Sequence, residues 1–196
     1  MNETRAPRLF PLLLMLLATA CSRQSEAPPL QGAKLENAFS LTDGDGRRVS
    51  DGQFAGKYRL VYFGFTYCPD VCPIDLQNIG KALRQLEKSD PKLAERVQPI
   101  FITVDPERDT PAVMKQYVGA FHPRIIGLTG TKQQIAAAAK KHGVFFQQEE
   151  GRGSSEYLIN HSRIALLFGP KGEPIAIVPH DQGADAIAAE LERWVA

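Results

Sequence analysis

Two cysteines four positions apart, Cys68 and Cys72, stand in the run Tyr67-Cys68-Pro69-Asp70-Val71-Cys72-Pro73, directly after an apolar segment. Sulfur pairs at this spacing do one of two kinds of chemistry. As thiolates they converge on a metal ion; oxidised, they close into a disulfide if the backbone brings them within reach. Leu60-Val61-Tyr62-Phe63-Gly64-Phe65 reads as a buried strand, and the helical pattern from near Pro73 places Cys72 at or just before a helix N-terminus. The partial positive charge there favours thiolate. Redox motifs more often separate their cysteines by two residues, and here three intervene, which leaves the redox reading open but weaker.

A metal site needs further ligands, and the chain has four histidines. His142 follows Lys140 and Lys141 at a helix end, where a cationic cap or surface role is expected. His122 and His180 read as loop residues. His161 is the candidate ligand, because the order of elements brings it to the cysteine loop. Two thiolates and one imidazole fall short of the four ligands of structural zinc. They suit copper: soft sulfur accepts Cu(I) at low coordination, and an added imidazole makes a set able to hold Cu(II). A site open on one side also admits a partner's ligand. Asp70 is expected to cap the following helix rather than to bind the ion.

These residues need elements to position them. Phe39-Ser40-Leu41 and Arg48-Val49-Ser50 flank the turn-forming cluster Thr42 to Gly46, which predicts a small hairpin. Asp75 to Lys88 carries Leu76, Ile79, Leu83 and Leu86 on one helical face. Pro99 to Val104 is a second buried strand, and Thr110-Pro111 opens a helix with Val113, Tyr117 and Phe121 on one side. A short strand at Ile125 to Leu128 precedes an alanine-rich helix, which starts at a Thr131/Gln134 capping box and ends before Gly143. Val144-Phe145-Phe146 predicts another strand. Glu149 to Ser155 is polar, and the segment Tyr157 to Ser162 follows. Arg163 to Phe168 and Pro174 to Val178 form a hairpin, and a last helix uses Ile187, Leu191 and Trp194. The fold class is α/β: a thioredoxin-like mixed sheet with helices on both faces and an N-terminal hairpin extension.

The N-terminal region tells a separate story. Arg5 and Arg8 precede the 12-residue, almost unbroken apolar run Leu9 to Ala20. That is short for a bilayer span and right for a signal-peptide core. Leu17-Ala18-Thr19-Ala20-Cys21 resembles a bacterial lipoprotein signal, with Ala18 where leucine is usual. The expected organisation is a signal peptide over 1–20, a lipidated tether over 21–34 beginning at Cys21, and one domain over 35–196. Ordinary secretory cleavage, leaving Cys21 as a free thiol, is the alternative. Either places the domain beyond the cytoplasmic membrane, where disulfides are permitted. Two remaining cysteines are too few for a disulfide scaffold and suit one dithiol site. The formal net charge of +1 gives no nucleic-acid surface.

Three segments in succession resemble signatures of the Sco/SenC proteins: Tyr62 to Pro73, then Val104 to Pro111, then Asn160-His161-Ser162. The similarity runs from about Phe39 to the C-terminus. It implies a thioredoxin-like fold, membrane attachment facing the periplasm, and copper at Cys68, Cys72 and His161. It also implies a role in assembling the copper A centre of cytochrome c oxidase, by delivering copper or by keeping the target cysteines reduced. The implied partners are the copper A subunit and another periplasmic copper chaperone or thiol reductant. The family usually has aspartate before the histidine, where this chain has Asn160.

Overall fold

The computed structural model describes residues 26–149 and 157–195. Ser40–Asp43 (β1) and Arg48–Ser50 (β2) form the expected hairpin. Its turn is held by the Asp43 carboxylate, which accepts from the backbone N–H groups of Asp45 and Arg47, both at 2.9 Å. A 3-10 turn at Asp51–Phe54 leads to Tyr58–Gly64 (β3), buried at every position. A strand covered on both faces carries a continuous apolar run instead of an alternating one. Val71–Ser89 (α1) buries the predicted stripe of Leu76, Ile79, Leu83 and Leu86, and the short helix Pro91–Arg96 (α2) connects it to Val97–Thr103 (β4).

Pro111–Gly119 (α3) starts as expected, with the Thr110 side chain accepting from the Val113 N–H. Its buried residues are Met114 and Val118, while Val113, Tyr117 and Phe121 are only half-buried. The reason lies in the next strand, Ile126–Thr129 (β5). A Cβ at Gly127 would sit 3.1 Å from the Met114 carbonyl and 3.2 Å from Val118, so the bare backbone there draws α3 in along that face. Lys132–Lys141 (α4) has the reciprocal capping box of Thr131 and Gln134 and ends at Gly143, whose φ of 67° suits glycine. Phe146–Glu149 (β6) pairs with Leu158–His161 (β7) as a separate two-stranded sheet. Ala165–Phe168 (β8) and Pro174–Val178 (β9) form the second hairpin, and Ala184–Trp194 (α5) buries Ile187 and Leu191.

The main sheet has seven strands in the order β2-β1-β5-β4-β3-β8-β9, with β3, β4 and β5 parallel. Strands β4-β3-β8-β9 with α1 and α5 make the expected thioredoxin-like core. The N-terminal hairpin joins the sheet through β1 and β5. Alternation along β3 sorts the layers: the Tyr62 hydroxyl bonds Asp75 of α1, whereas Phe63 meets the His142 ring at the end of α4, centroids 5.2 Å apart. Helices therefore cover both faces.

Two further expectations change. His142 is not a cationic cap: it is fully buried among Phe39, Phe63 and Phe168. Its Nδ1–H donates to the Ala138 carbonyl (2.8 Å) and its Nε2 accepts from the Asn37 amide (3.1 Å). Burial pushes its pKa down to about 4, so the ring is neutral. The stretch expected as a free tether is docked from residue 26 onward. Leu30 donates its N–H to the Ile175 carbonyl of β9 (2.9 Å), Glu26 pairs with Arg193, and Leu30 and Leu35 pack on the core. An edge strand offers such unpaired carbonyls. The expected signal peptide, Cys21 and residues 150–156 lie outside the described residues.

Candidate metal centre

Beyond Gly64 the chain turns, with the Cys68 N–H bonded to the Phe65 carbonyl, and enters α1 at Val71, which makes Cys72 the second helical residue. Asp70 occupies the N-cap position, yet its side chain makes no capping bond. The Cys68 sulfur takes that role, accepting from the Cys72 N–H at 3.5 Å. A free amide at a helix start needs an acceptor, and the loop folds the sulfur over it. Cys72 is fully buried beneath, against β3. A Cβ at Gly64 would lie 2.9 Å from the Cys72 Sγ and 2.8 Å from the Phe101 ring, so only glycine leaves room for the sulfur.

His161 ends β7 opposite Phe146. Ser162 anchors the chain just past it, donating its N–H to the Phe145 carbonyl (2.8 Å) and accepting from the Phe145 N–H through Oγ (3.0 Å). The His161 Nδ1–H donates to the Ser162 carbonyl at 3.1 Å, which leaves the Nε2 lone pair free. That nitrogen lies 3.6 Å from the Cys72 Sγ, and the ring stands edge-on to Phe65. The three ligand atoms of Cys68, Cys72 and His161 all lie within 4.8 Å of one another, the one such group among the described residues. Thiolate and imidazole bonds of about 2.3 and 2.0 Å, at angles from tetrahedral to trigonal, place S and N roughly 3.5–3.7 Å apart. The donors are therefore spaced to share one ion. His122 is buried beside Glu87, and His180 beside Asp75; neither joins the group.

The two sulfurs divide one proton. A hydrogen bond from the Cys72 thiol, reinforced by the N–H groups of Cys72 and Asp70, outweighs burial and holds Cys68 down at about 3. The same bond, with burial, pushes Cys72 up. The half-exposed sulfur is thus the thiolate and the buried one the thiol. Alkylation of the metal-free, reduced protein by iodoacetamide should go to Cys68 alone, at a rate flat between pH 5 and 8. A free cysteine speeds up about tenfold per pH step over that range. A rate at Cys68 that climbs in the same way would refute the assignment.

Polar residues around the site fasten its loops. Asp109, fully buried, accepts from the Thr66 N–H (3.1 Å), the Thr66 hydroxyl (2.5 Å) and the Thr103 hydroxyl (2.5 Å), which ties the cysteine loop to the end of β4. The Arg108 guanidinium pairs with Asp105 and lies over the rings of Tyr157 (3.8 Å) and Tyr67 (4.7 Å). Asp75 accepts from Arg163 through Nε (2.8 Å) and Nη2 (2.5 Å), and from the Tyr62 hydroxyl (2.7 Å). Sequence reasoning assigned none of these a role. The available signal was Asp75 itself, a carboxylate next to the apolar stripe of α1 and three residues past Cys72.

A family model described as SCO1/SenC matches residues 27–196. The chain belongs to the SCO1/SenC family. Among curated SCO1/SenC relatives, the mitochondrial SCO2 homolog of Bos taurus is 40% identical over 166 residues, covering 85% of this chain and 62% of that protein. This chain thus spans somewhat less than two thirds of such relatives. The structure of Bradyrhizobium japonicum ScoI with copper bound has 36% identity and a TM-score of 0.73, over 82% of this chain and 99% of that one. The thioredoxin domain of a thiol-disulfide oxidoreductase from Bacteroides vulgatus, 18% identical with a TM-score of 0.54 over 85% of this chain and 98% of that one, shares the fold. The SCO1/SenC fold here is accordingly thioredoxin-like.

Proposed function

We propose that this SCO1/SenC protein is a copper metallochaperone for the copper A centre of cytochrome c oxidase, held on the periplasmic side of a bacterial membrane by a lipid on Cys21. The observation that carries the reading is the convergence of Cys68, Cys72 and His161 within 4.8 Å, in a family whose Bradyrhizobium japonicum and yeast members have structures with copper bound. Copper is the cargo. Two soft sulfurs retain Cu(I), and the His161 imidazole adds the harder donor that Cu(II) requires. Of the exposed apolar side chains, Tyr67, Ile74 and Leu158 lie within three residues of a ligand in sequence, and Phe145 is hydrogen-bonded to Ser162, the residue after His161. They offer a rim on which the copper A subunit docks, and a copper chaperone or thiol reductant reloads the same face. Export is supported by Arg5, Arg8 and the apolar run ending at Ala20.

Copper titration of reduced residues 22–196 tests the reading. One ion per chain is expected, with sulfur-to-copper charge-transfer absorption for Cu(II). His161→Ala should remove most Cu(II) absorption and leave Cu(I) held. Absence of one-to-one binding that depends on both cysteines would sink the proposal.

The thiolate/thiol division supports a second reading, thiol-disulfide exchange. Cys68 sulfur attacks a target disulfide, one target sulfur leaves as thiolate, and Cys72, on losing its proton, resolves the mixed disulfide. Two electrons pass to the target and Cys68–Cys72 becomes the disulfide. His161→Ala should impair this exchange far less than Cu(II) binding, which separates the readings.

A further inference from the structure

We propose that the ion pair between the buried Asp75 and the partly exposed Arg163 is a strut that sets the distance between the Cys72 sulfur and the His161 imidazole. This rests on the copper reading for its consequence and on geometry for its substance. The imidazole stands on β7, which belongs to the two-stranded sheet and pairs with no strand of the main sheet. Sheet register therefore does not fix its height above α1. Arg163 lies two residues beyond His161, and Asp75 three residues beyond Cys72, so the pair joins the two limbs just behind the ligands. The Arg163 fork holds Asp75 through Nε at 2.8 Å and Nη2 at 2.5 Å, which fixes direction as well as distance.

The surroundings of Asp75 point the same way. The carboxylate is fully buried, and its Oδ2 also accepts from the Tyr62 hydroxyl at 2.7 Å. His180, whose Nδ1–H donates to the Val178 carbonyl, turns its Nε2 toward Oδ2 at 3.5 Å without a hydrogen bond. Burying the Asp75 carboxylate is a poor way to gain stability, since an apolar residue of similar volume often does as well or better. Positioning gives the pair a purpose that stability does not. Arg163 and Asp75 are positioning residues here, since neither touches the ion.

The test compares the parent with the volume-matched double variant Asp75→Leu/Arg163→Met and with Arg163→Lys, all ligands intact. Urea unfolding reads stability, competition titrations read Cu(I) and Cu(II) affinity, and absorption and paramagnetic resonance read the Cu(II) environment. A proton–proton Overhauser contact between the His161 ring and the Cys72 methylene reads the spacing without metal. The strut predicts a folded double variant with nearly parental Cu(I) affinity, Cu(II) binding about 10- to 100-fold weaker, and a loss of the Overhauser contact. Arg163→Lys, at a partly exposed position, should keep the charge and still alter the Cu(II) spectrum. A double variant with the parental Cu(II) spectrum and Overhauser contact would overturn the proposal. If the double variant does not fold, a parental spectrum and contact in Arg163→Lys would overturn it equally. A parent that binds no copper refutes the copper reading, and the Overhauser contact then decides the strut by itself.

Discussion

Cys72→Ser should cost Cu(I) affinity on the order of a thousandfold, about 4 kcal/mol, with the fold retained. Cys72 has no exposed surface and its sulfur faces Gly64 and His161. Serine fits that space but offers a hard oxygen that Cu(I) binds poorly, leaving one sulfur and one imidazole. Burying the hydroxyl costs roughly 1–3 kcal/mol if it finds no partner. Competition with a colorimetric Cu(I) chelator measures the loss, and urea unfolding shows that the fold persists. Cys68→Ser should weaken binding to a similar extent. A Cys72→Ser protein that still competes for Cu(I) like the parent would remove this residue from the ligand set.

The second large effect concerns acid. His142 is held neutral, its folded pKa near 4 against an ordinary value of 6.5, because burial disfavours the charged ring. Between those values the unfolded chain takes up a proton that the folded chain refuses. Stability on this account is complete above pH 6.5, declines as pH falls, and levels off below about 4, a loss of about 3 kcal/mol. His142→Gln keeps a donor and an acceptor but does not titrate. Subtracting its unfolding free energies from those of the parent at pH 7 and pH 4.5 isolates the effect from that of the carboxylates. Parallel pH profiles for the two proteins would show that His142 does not contribute.

The neutrality of His142 also marks where sequence reasoning stopped. Lys140 and Lys141 made the neighbourhood look like a charged helix end, but the ring is buried by partners far along the chain, Asn37 lying 105 positions away. Local patterns were readable because local forces set them: the apolar run of β3, the stripe of α1, the capping box at Thr131. The cysteine pair and the approach of His161 were readable too, since strand order alone carries the β3 end toward the second hairpin. The Asp75–Arg163 contact spans 88 positions and left no periodic trace. Asp70 misled for a different reason. Its residue type and position fit a helix cap, but the loop presents Cys68 sulfur to the amide instead. The docked segment from Glu26 to Lys34 looked like linker because its one leucine, Leu30, among prolines and polar residues makes no period.

The sulfur that closes the start of α1 serves two masters. Its lone pairs and negative charge hold the first amides of the helix, and the same electrons would bond an incoming ion or a second sulfur. Loading the site or oxidising it therefore withdraws charge from the helix start, where a cap contributes about 1 kcal/mol. The opening turn of α1, with Ile74 exposed on it, is thus the part of the helix whose cap weakens when the sulfur is engaged.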